Sequence, residues 1–129
     1  MTSRVRITEE RVGDITVLRM SGRLELEEGD LAFRDYVNNL VADGRVKIVL
    51  DLKQVTRIDS AGIGMLVSKY LSTKRCGGTM KLLHLTRHSD HLMDITRLAT
   101  VFEIFDDEVE ALRSFEKESG IGNQESGLG

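Results

Sequence analysis

Apolar and polar residues along this chain follow two different periods. Near the start, apolar residues in mixed alternation predict two strands, and the Gly13-Asp14 pair between them suits a tight hairpin turn. Further along, apolar residues recur at the three- and four-residue spacing of one buried helix face. Three such sets are Phe33, Tyr36, Val37, Leu40 and Val41; Ile63, Leu66, Val67, Tyr70 and Leu71; and Val109, Leu112 and Phe115. Strands and helices are therefore both predicted.

The segments between the helical stretches have the composition of strands. Lys47 to Leu52 is nearly continuously apolar, which is typical of a central strand covered on both faces. Thr79 to Leu85 and Val101 to Phe105 predict two more strands. Between them we predict a short helix that is capped by Ser89 or Asp90 and carries Leu92, Met93, Ile95 and Leu98. Strands that alternate with helices imply a largely parallel sheet, and the opening hairpin would add an antiparallel edge. The sequence predicts an α/β fold with about four helices, and the helix that starts at Ser60 should lie near its centre.

Length and composition limit the classes of protein to which this chain can belong. The 129 residues suit one domain, which we expect over residues 1–118, with a flexible tail at 119–129 that has little to bury. The net charge of -3 argues against a general nucleic-acid binder. No apolar run is long enough to cross a bilayer, and the first residues lack an apolar signal core. The single cysteine, Cys76, excludes an internal disulfide. We therefore expect a cytoplasmic protein without membrane contact.

The stretch from Ile58 to Leu66 lies where a predicted strand meets a predicted helix. Asp59 and Ser60 are both good helix N-cap residues, because a side-chain oxygen can accept from the first backbone N–H groups. Gly62 and Gly64 each cost about 1 kcal/mol against alanine inside a helix, so capping alone does not explain them. Glycine there lets a neighbouring element or another protein approach the backbone closely.

Sites in parallel sheets lie at the carboxyl ends of strands. Asp59 and Ser60 are predicted at such an end. The second strand is predicted to end at Ser21-Gly22, and Arg23 to Gly29 are interpreted as a connection. Gly22 to Glu25 are therefore predicted at the same edge. This edge is therefore the first place to look for a functional site.

Phosphate-loop and metal chemistry have little support. Gly62-Ile63-Gly64 is not followed by the Gly-Lys-Ser/Thr of a phosphate-binding loop. His88 and His91 are one helical turn apart, but two imidazoles without a nearby cysteine or a third ligand are a weak indication of a metal site. His84 is the remaining histidine. We predict solvated histidines, no metal site and no cofactor.

A catalytic nucleophile is also weakly supported. Cys76 lies beside Lys74 and Arg75, but no second cysteine or histidine is adjacent in sequence. Ser60 could belong to a Ser-His-Asp triad, yet the Gly-x-Ser-x-Gly elbow is missing. An enzyme that uses Ser60 or Cys76 stays an unfavoured alternative.

Several motifs together resemble the STAS-domain anti-sigma factor antagonists. The Asp59-Ser60-x-Gly-hydrophobic-Gly core after a strand is their most specific part, and the likeness extends from about Val5 to Phe115. The motifs are Leu50-Asp51-Leu52, Val55, Ile58 to Gly64, Gly77-Gly78, Leu92-x-x-Ile95-x-x-Leu98 and Phe102-x-x-Phe105. The resemblance implies a single STAS-like domain.

The resemblance also implies a partner switch. In that family the serine after the aspartate, here Ser60, is phosphorylated by an anti-sigma factor that is itself a protein kinase. The unphosphorylated antagonist binds the anti-sigma factor and so frees a sigma factor, and a serine phosphatase resets the system. Such a protein is not an enzyme. We expect the partner-binding residues to be Asp59, Ser60, Ala61, Gly62, Gly64, Arg23 and Glu25.

Two positions depart from the family pattern. The residue after the serine, often Ser or Thr in the family, is Ala61, so one hydroxyl remains at the turn. The usual Gly-Glu-Leu-Asp of the second strand is Gly22-Arg23-Leu24-Glu25, in which arginine replaces an acid. These departures bear on the identity of the partner and on phosphorylation. Within the same family, a scaffold or sensor module of a larger signalling assembly is the alternative function.

Overall fold

The computed structural model describes residues 5–24, 29–85 and 101–116, and of residues 29–31 only the backbone. These ranges contain five strands and three helices. The strands are β1 (Arg6–Val12), β2 (Ile15–Leu24), β3 (Lys47–Ile58), β4 (Thr79–Leu83) and β5 (Ile104–Phe105). The helices are α1 (Gly29–Ala42), α2 (Ser60–Arg75) and α3 (108–116). The helix expected from Ser89 to Leu98 and the tail at 119–129 lie outside the described residues.

The five strands form one sheet in the order β1-β2-β3-β4-β5. β1 runs antiparallel to β2, and Val12 pairs with Ile15 across a two-residue turn in which Gly13 has a φ of 64°. The pairs β2–β3, β3–β4 and β4–β5 are all parallel. The predicted open, mainly parallel sheet with an antiparallel hairpin edge is therefore confirmed. β3 is the central strand, so α2 starts from the middle of the sheet, as expected.

One face of the sheet is covered by α1 and α2. Their buried residues, among them Phe33, Val37 and Leu66, pack with alternate residues of the strands in one core cluster. The strand residues that contribute most are Leu18, Met20, Ile48, Leu50, Leu52, Met80 and Leu82. The helical pattern predicted for α1 is confirmed, since Phe33, Val37 and Leu40 are buried and Tyr36 and Val41 are partly buried.

The opposite face is covered by α3. Ala111 and Phe115 pack on Ile15, Val17, Val49 and Leu83 in a second, smaller cluster. Because this apolar contact area is small, polar contacts also hold α3 on the sheet. The Arg19 guanidinium donates to Asp51 at 2.8 Å and to Glu108 at 2.9 and 3.0 Å. The described helices thus cover both faces of the sheet, with α1 and α2 on one face and α3 on the other.

A buried lysine also ties α3 to this face. Lys81 has no exposed surface, and its Nζ lies 2.8 Å from Ser114 Oγ and 2.7 Å from Glu103 Oε1. The ammonium group also lies 4.5 Å from the centre of the Phe115 ring. A buried cation needs such partners, because removing them lowers the free energy of unfolding by about 3 to 5 kcal/mol.

β3 is longer than predicted. It continues beyond Leu52 to Ile58, and its ladder with β2 shifts register between Arg19 and Ser21 and again between Gly22 and Arg23. These irregularities expose two residues in a row and then bury one, so Val55 and Ile58 face the core three positions apart. That spacing breaks the alternation by which a strand is recognised. β2 likewise continues to Leu24, whereas the sequence interpretation ended it at Ser21-Gly22.

Some predicted side-chain environments were wrong. Lys69 is not in the apolar set predicted to form the buried face of α2, so it was expected in solvent, but it is buried and donates to Asn38 Oδ1 of α1 at 2.8 Å. Leu71, expected in the core, is 46% exposed, and Val109, expected on the inner face of α3, is 55% exposed. In α3 it is Ala111 that lies in the core, because the helix packs through Ala111 and Phe115 at an i, i+4 spacing.

Candidate functional site at the start of α2

Asp59 is the N-cap of α2. Its backbone is extended, with φ -95° and ψ -178°, and its Oδ1 accepts a hydrogen bond from the backbone N–H of Gly62 at 2.8 Å. Its carbonyl oxygen accepts from the backbone N–H of Ile63 at 2.9 Å. Of the two cap candidates in the sequence, the aspartate therefore makes the cap. The serine hydroxyl is not required for that purpose.

Ser60 is the first residue of α2, and its side chain is exposed. At this position the backbone N–H has no partner within the helix, and the positive end of the helix dipole lies beside it. Ala61, the next residue, is only partly exposed. The exposed hydroxyl at the helix start is thus that of Ser60, in a place that favours an added negative charge.

The two glycines of the first turn have different surroundings. Gly62 is buried, and a Cβ added there would lie 2.1 Å from the backbone carbonyl oxygen of Leu24. A Cβ at Gly64 would meet nothing within 4 Å, and the residue is exposed. Gly62 is therefore explained by close packing on the end of β2. No contact within the described part of the chain explains Gly64.

The end of β2 is joined directly to this helix start. The Leu24 carbonyl oxygen, which fits against Gly62, also accepts from the backbone N–H of Asp59 at 3.4 Å. Arg23, directly before it, is exposed and pairs in register with Arg57 of β3, which is exposed as well. The structure thus brings Arg23 to the same sheet edge as Asp59 and Ser60, as the sequence predicted.

One part of that prediction was wrong. Arg23 was expected in a connection, but it is a strand residue, because the ladder continues through Arg23–Arg57 to Leu24–Ile58. Glu25 lies outside the described residues. Arg57 was not among the predicted site residues, since the predicted strand ended at Leu52 and did not include it. The sequence signal for a strand through Arg57 is the pair of apolar residues Val55 and Ile58 that flank it.

Of the other candidates, the structure describes Cys76 and His84. Cys76 is exposed at the opposite end of α2, which at 16 residues is about 24 Å long. His84 follows β4, where its backbone N–H donates to the Phe105 carbonyl oxygen at 2.9 Å. His88 and His91 lie outside the described residues. Among the side chains that the structure describes, no group of three or more His, Cys, Asp or Glu is arranged to hold a metal ion.

No helix within the described ranges is long and apolar enough to cross a bilayer.

The geometry agrees with the comparison to known families. The sequence model of the STAS domain matches residues 6–111, which include all five described strands, α1, α2 and the first turn of α3. The chain belongs to the STAS domain family. The start of α2, which follows the central strand, is therefore the start of a helix within a STAS domain.

Relatives and solved structures are of the same kind. The anti-sigma F factor antagonist of Paenibacillus polymyxa is 28% identical over 102 residues, which are 79% of this chain and 87% of that protein. An anti-sigma factor antagonist of Mycobacterium paratuberculosis has the same fold, with a TM-score of 0.76 at 19% identity over 88% of this chain and 96% of that one.

The antagonist SpoIIAA also shares the fold, and its two forms can be compared with this chain. Its unphosphorylated form has a TM-score of 0.74 at 18% identity, over 87% of this chain and 97% of that one. The phosphorylated form, from Bacillus, has a TM-score of 0.67 at 18% identity, over 85% and 99%. The fold is thus the same in both forms of that protein.

Proposed function

We propose that this protein is an anti-sigma factor antagonist that is switched by phosphorylation of Ser60. In the unphosphorylated form it binds an anti-sigma factor that is a protein kinase, and a sigma factor is released. Phosphorylation of Ser60 by that kinase ends the binding, and a serine phosphatase restores it. The protein acts as a substrate and a binding partner, and it hydrolyses nothing by itself.

The observation that carries the proposal is the division of roles between Asp59 and Ser60. Asp59 caps α2 through its contact with Gly62, so the helix start is formed without the serine side chain. Ser60 is exposed on the first turn, where a kinase can reach the hydroxyl. A structural serine would be expected to make the cap itself.

The same geometry explains why phosphate would act on binding rather than on folding. A phosphate adds about -1.5 to -2 charges and three strong acceptor oxygens. The backbone N–H groups and the dipole at the helix start favour that charge, so the domain remains folded. A partner that docks on a neutral hydroxyl beside Asp59 would instead meet a cluster of negative charge. Electrostatic repulsion and desolvation then oppose binding.

Gly64 supports a partner surface on the same helix. It costs about 1 kcal/mol relative to alanine in a helix interior, and no neighbour in the described chain requires it. A protein that packs closely on the first turns of α2 would require it. We propose Asp59, Ser60, Ala61 and Gly64 as the contact residues. Gly62 acts by letting α2 lie against β2.

The test is a kinase assay with each anti-sigma factor kinase of the source organism, purified in turn. Labelled ATP should transfer phosphate to the wild-type protein, and mass spectrometry should place it on Ser60. The Ser60→Ala variant should not be labelled. Ser68→Ala, which removes another exposed serine of the same helix, should be labelled like the wild type. Equal labelling of Ser60→Ala would refute the proposed acceptor.

The alternative is a scaffold or sensor module that uses the same fold. It predicts stable association with a larger signalling assembly and no phosphate on Ser60 with any of these kinases.

A further inference from the structure

α3 is attached to the sheet through a small apolar contact. Of its side chains, Ala111 and Phe115 are buried and Leu112 is partly buried. α1 and α2, in contrast, share the larger core cluster with residues of β2, β3 and β4. β5, which precedes α3, is two residues long and joins β4 through Ile104 and Phe105. Little buried apolar surface therefore has to be exposed for α3 to leave the sheet.

The buried ammonium group of Lys81 both supports and opposes the docking of α3. Its Nζ contacts two groups of α3, namely Ser114 Oγ at 2.8 Å and the Phe115 ring at 4.5 Å. It also lies 2.7 Å from Oε1 of Glu103, which comes before β5 and is 58% exposed. Burial removes the ammonium group from water, and contacts inside a protein often do no more than balance that loss. If α3 moved away, Lys81 would keep Glu103, and water would replace the groups of α3.

Arg19 has partners on both sides in the same way. It donates to Glu108 of α3, and also to Asp51 of β3 at 2.8 Å and to Glu10 of β1 at 2.6 Å. The side chains of Arg19 and Glu108 are 34% and 32% exposed, and ion pairs with this much exposure contribute little to stability. Without α3, Arg19 and Lys81 would therefore each keep a carboxylate partner, and neither cation would be buried alone.

We propose that α3 opens from the sheet as a unit while the rest of the domain stays folded. Segments with few buried apolar contacts open at a lower free energy than the core of a domain. In the open form the ammonium group of Lys81 is in water. The apolar residues that lose their cover are Ile15, Val17, Val49 and Leu83. Their exposure keeps the open form a minor population. The opening is independent of the proposed switch at Ser60, because α2 packs on the opposite face.

The reactivity of Lys81 tests this opening, because the side chain is buried while α3 is docked. The wild-type protein is treated at neutral pH with a low concentration of N-hydroxysuccinimidyl acetate, and mass spectrometry gives the acetylation rate of each lysine. Lys74, which is exposed, gives the rate for an accessible ammonium group. Amide hydrogen exchange of β3, the central strand, gives the population of the globally unfolded form. Both measurements are repeated at several low urea concentrations.

We expect Lys81 to be acetylated more slowly than Lys74, but at least about 100-fold faster than global unfolding allows and with a weaker dependence on urea. Phe115→Leu, which reduces the apolar contact of α3, should accelerate the acetylation of Lys81 at least about threefold and leave Lys74 unchanged. Val109→Ala changes an exposed residue of the same helix and is the control. It should leave the rate at Lys81 within about twofold of the wild type.

Two results would overturn the inference. Lys81 could be acetylated only at the rate that global unfolding allows, with the urea dependence of the β3 amides, and α3 would then not open by itself. Lys81 could instead react as fast as Lys74, and the docked form would then not be the main one. Fraying of the last turn of α3 does not imitate the expected result, because Phe115 and Ser114 must both leave Lys81 before reagent reaches it.

Discussion

Gly62 and Gly64 are two residues apart in α2, but the structure gives them opposite roles. Gly62 lies against the Leu24 carbonyl oxygen, so a side chain there would displace the end of β2 or the start of the helix. Gly64 has open space around it. The sequence allowed either a neighbouring element or a partner protein as the reason for these glycines. Packing on a neighbouring element explains Gly62, whereas contact with a partner protein is the reason proposed for Gly64.

Alanine at these two positions should change stability in opposite directions. Gly62→Ala should lower the free energy of unfolding by about 1 to 3 kcal/mol, because the new methyl group overlaps backbone atoms. Gly64→Ala should raise it by up to about 1 kcal/mol through helix propensity. Urea denaturation of the two variants and the wild type measures both changes. Equal stability of Gly62→Ala and the wild type would show that the close packing is not needed.

A large side chain at Gly64 separates binding from stability. Gly64→Gln should leave the melting temperature unchanged or raise it slightly, because glutamine favours a helix more than glycine does and a Cβ at this exposed position meets nothing within 4 Å. It should weaken binding to the anti-sigma factor kinase strongly, since the proposed partner packs against this turn. Calorimetric titration gives the affinity. Unchanged affinity would remove Gly64 from the partner surface.

Asp59 has a structural role and a proposed functional role, and two substitutions separate them. Asp59→Ala loses the acceptor for the Gly62 N–H and should cost about 1 kcal/mol of stability. Asp59→Asn keeps a capping oxygen and should restore most of that loss. If the charge of Asp59 orients the Ser60 hydroxyl, phosphorylation should be slow in both variants. Phosphorylation of Asp59→Asn at the wild-type rate would limit Asp59 to capping.

At the scale of the elements, the accuracy of the sequence prediction followed the regularity of the pattern. α1 was predicted well because its buried residues keep one helical period. The second half of β3 was missed because two register shifts replace strict alternation with pairs of exposed residues. The site residues Asp59 and Ser60 could be placed because a strand-to-helix junction has clear capping signals. Arg57 could not, since its pairing with Arg23 depends on those irregularities.

The buried lysines could not be predicted from the sequence for a different reason. Lys69 and Lys81 are charged, and charged residues are mostly exposed. Their burial depends on partners that are distant in sequence, namely Asn38 for Lys69 and Glu103 with Ser114 for Lys81. Only the packing of helices on the sheet brings these groups together.

The docking of α3 on the sheet gives a prediction about pH. The Arg19 guanidinium, by hydrogen bonds and by charge, holds the pKa of Glu108 below its usual value of 4.5. A carboxyl whose pKa is lowered by folding contributes stability above its unfolded pKa and loses it as the pH falls through the folded value. Glu108→Gln should therefore be less stable than the wild type near pH 7, by about 0.5 to 1 kcal/mol since the pair is partly exposed.

The difference between Glu108→Gln and the wild type should shrink as the pH falls below about 4.5. Urea denaturation of both proteins between about pH 7 and pH 3 measures it. Glu110→Gln, which changes an exposed glutamate of the same helix, is the control and should remain close to the wild type. A difference between Glu108→Gln and the wild type that stays constant over this range would contradict the ion pair.

At the scale of the whole molecule, the order of strands and helices was enough to predict the sheet. Parallel neighbours joined by helices leave few alternatives for the topology, and the hairpin turn at Gly13 fixed the antiparallel edge. The same architecture bears on the proposed switch. The start of α2 is joined to the sheet through Asp59 and Leu24, so a phosphate at Ser60 would change the surface that a partner meets while the core remained packed.

The central claim is that one phosphate on Ser60 changes binding and not folding. The most direct measurement is the affinity of the phosphorylated and unphosphorylated proteins for the same purified anti-sigma factor kinase, with circular dichroism melts of both. We predict binding at least about 100-fold weaker for the phosphorylated protein, which is about 2.7 kcal/mol, with closely similar melting curves. Ser60→Asp should weaken binding by less, because it carries about one charge, and Ser60→Ala should bind like the unphosphorylated protein. Equal affinities for the two forms, or a phosphorylated protein that has lost its fold, would contradict the account.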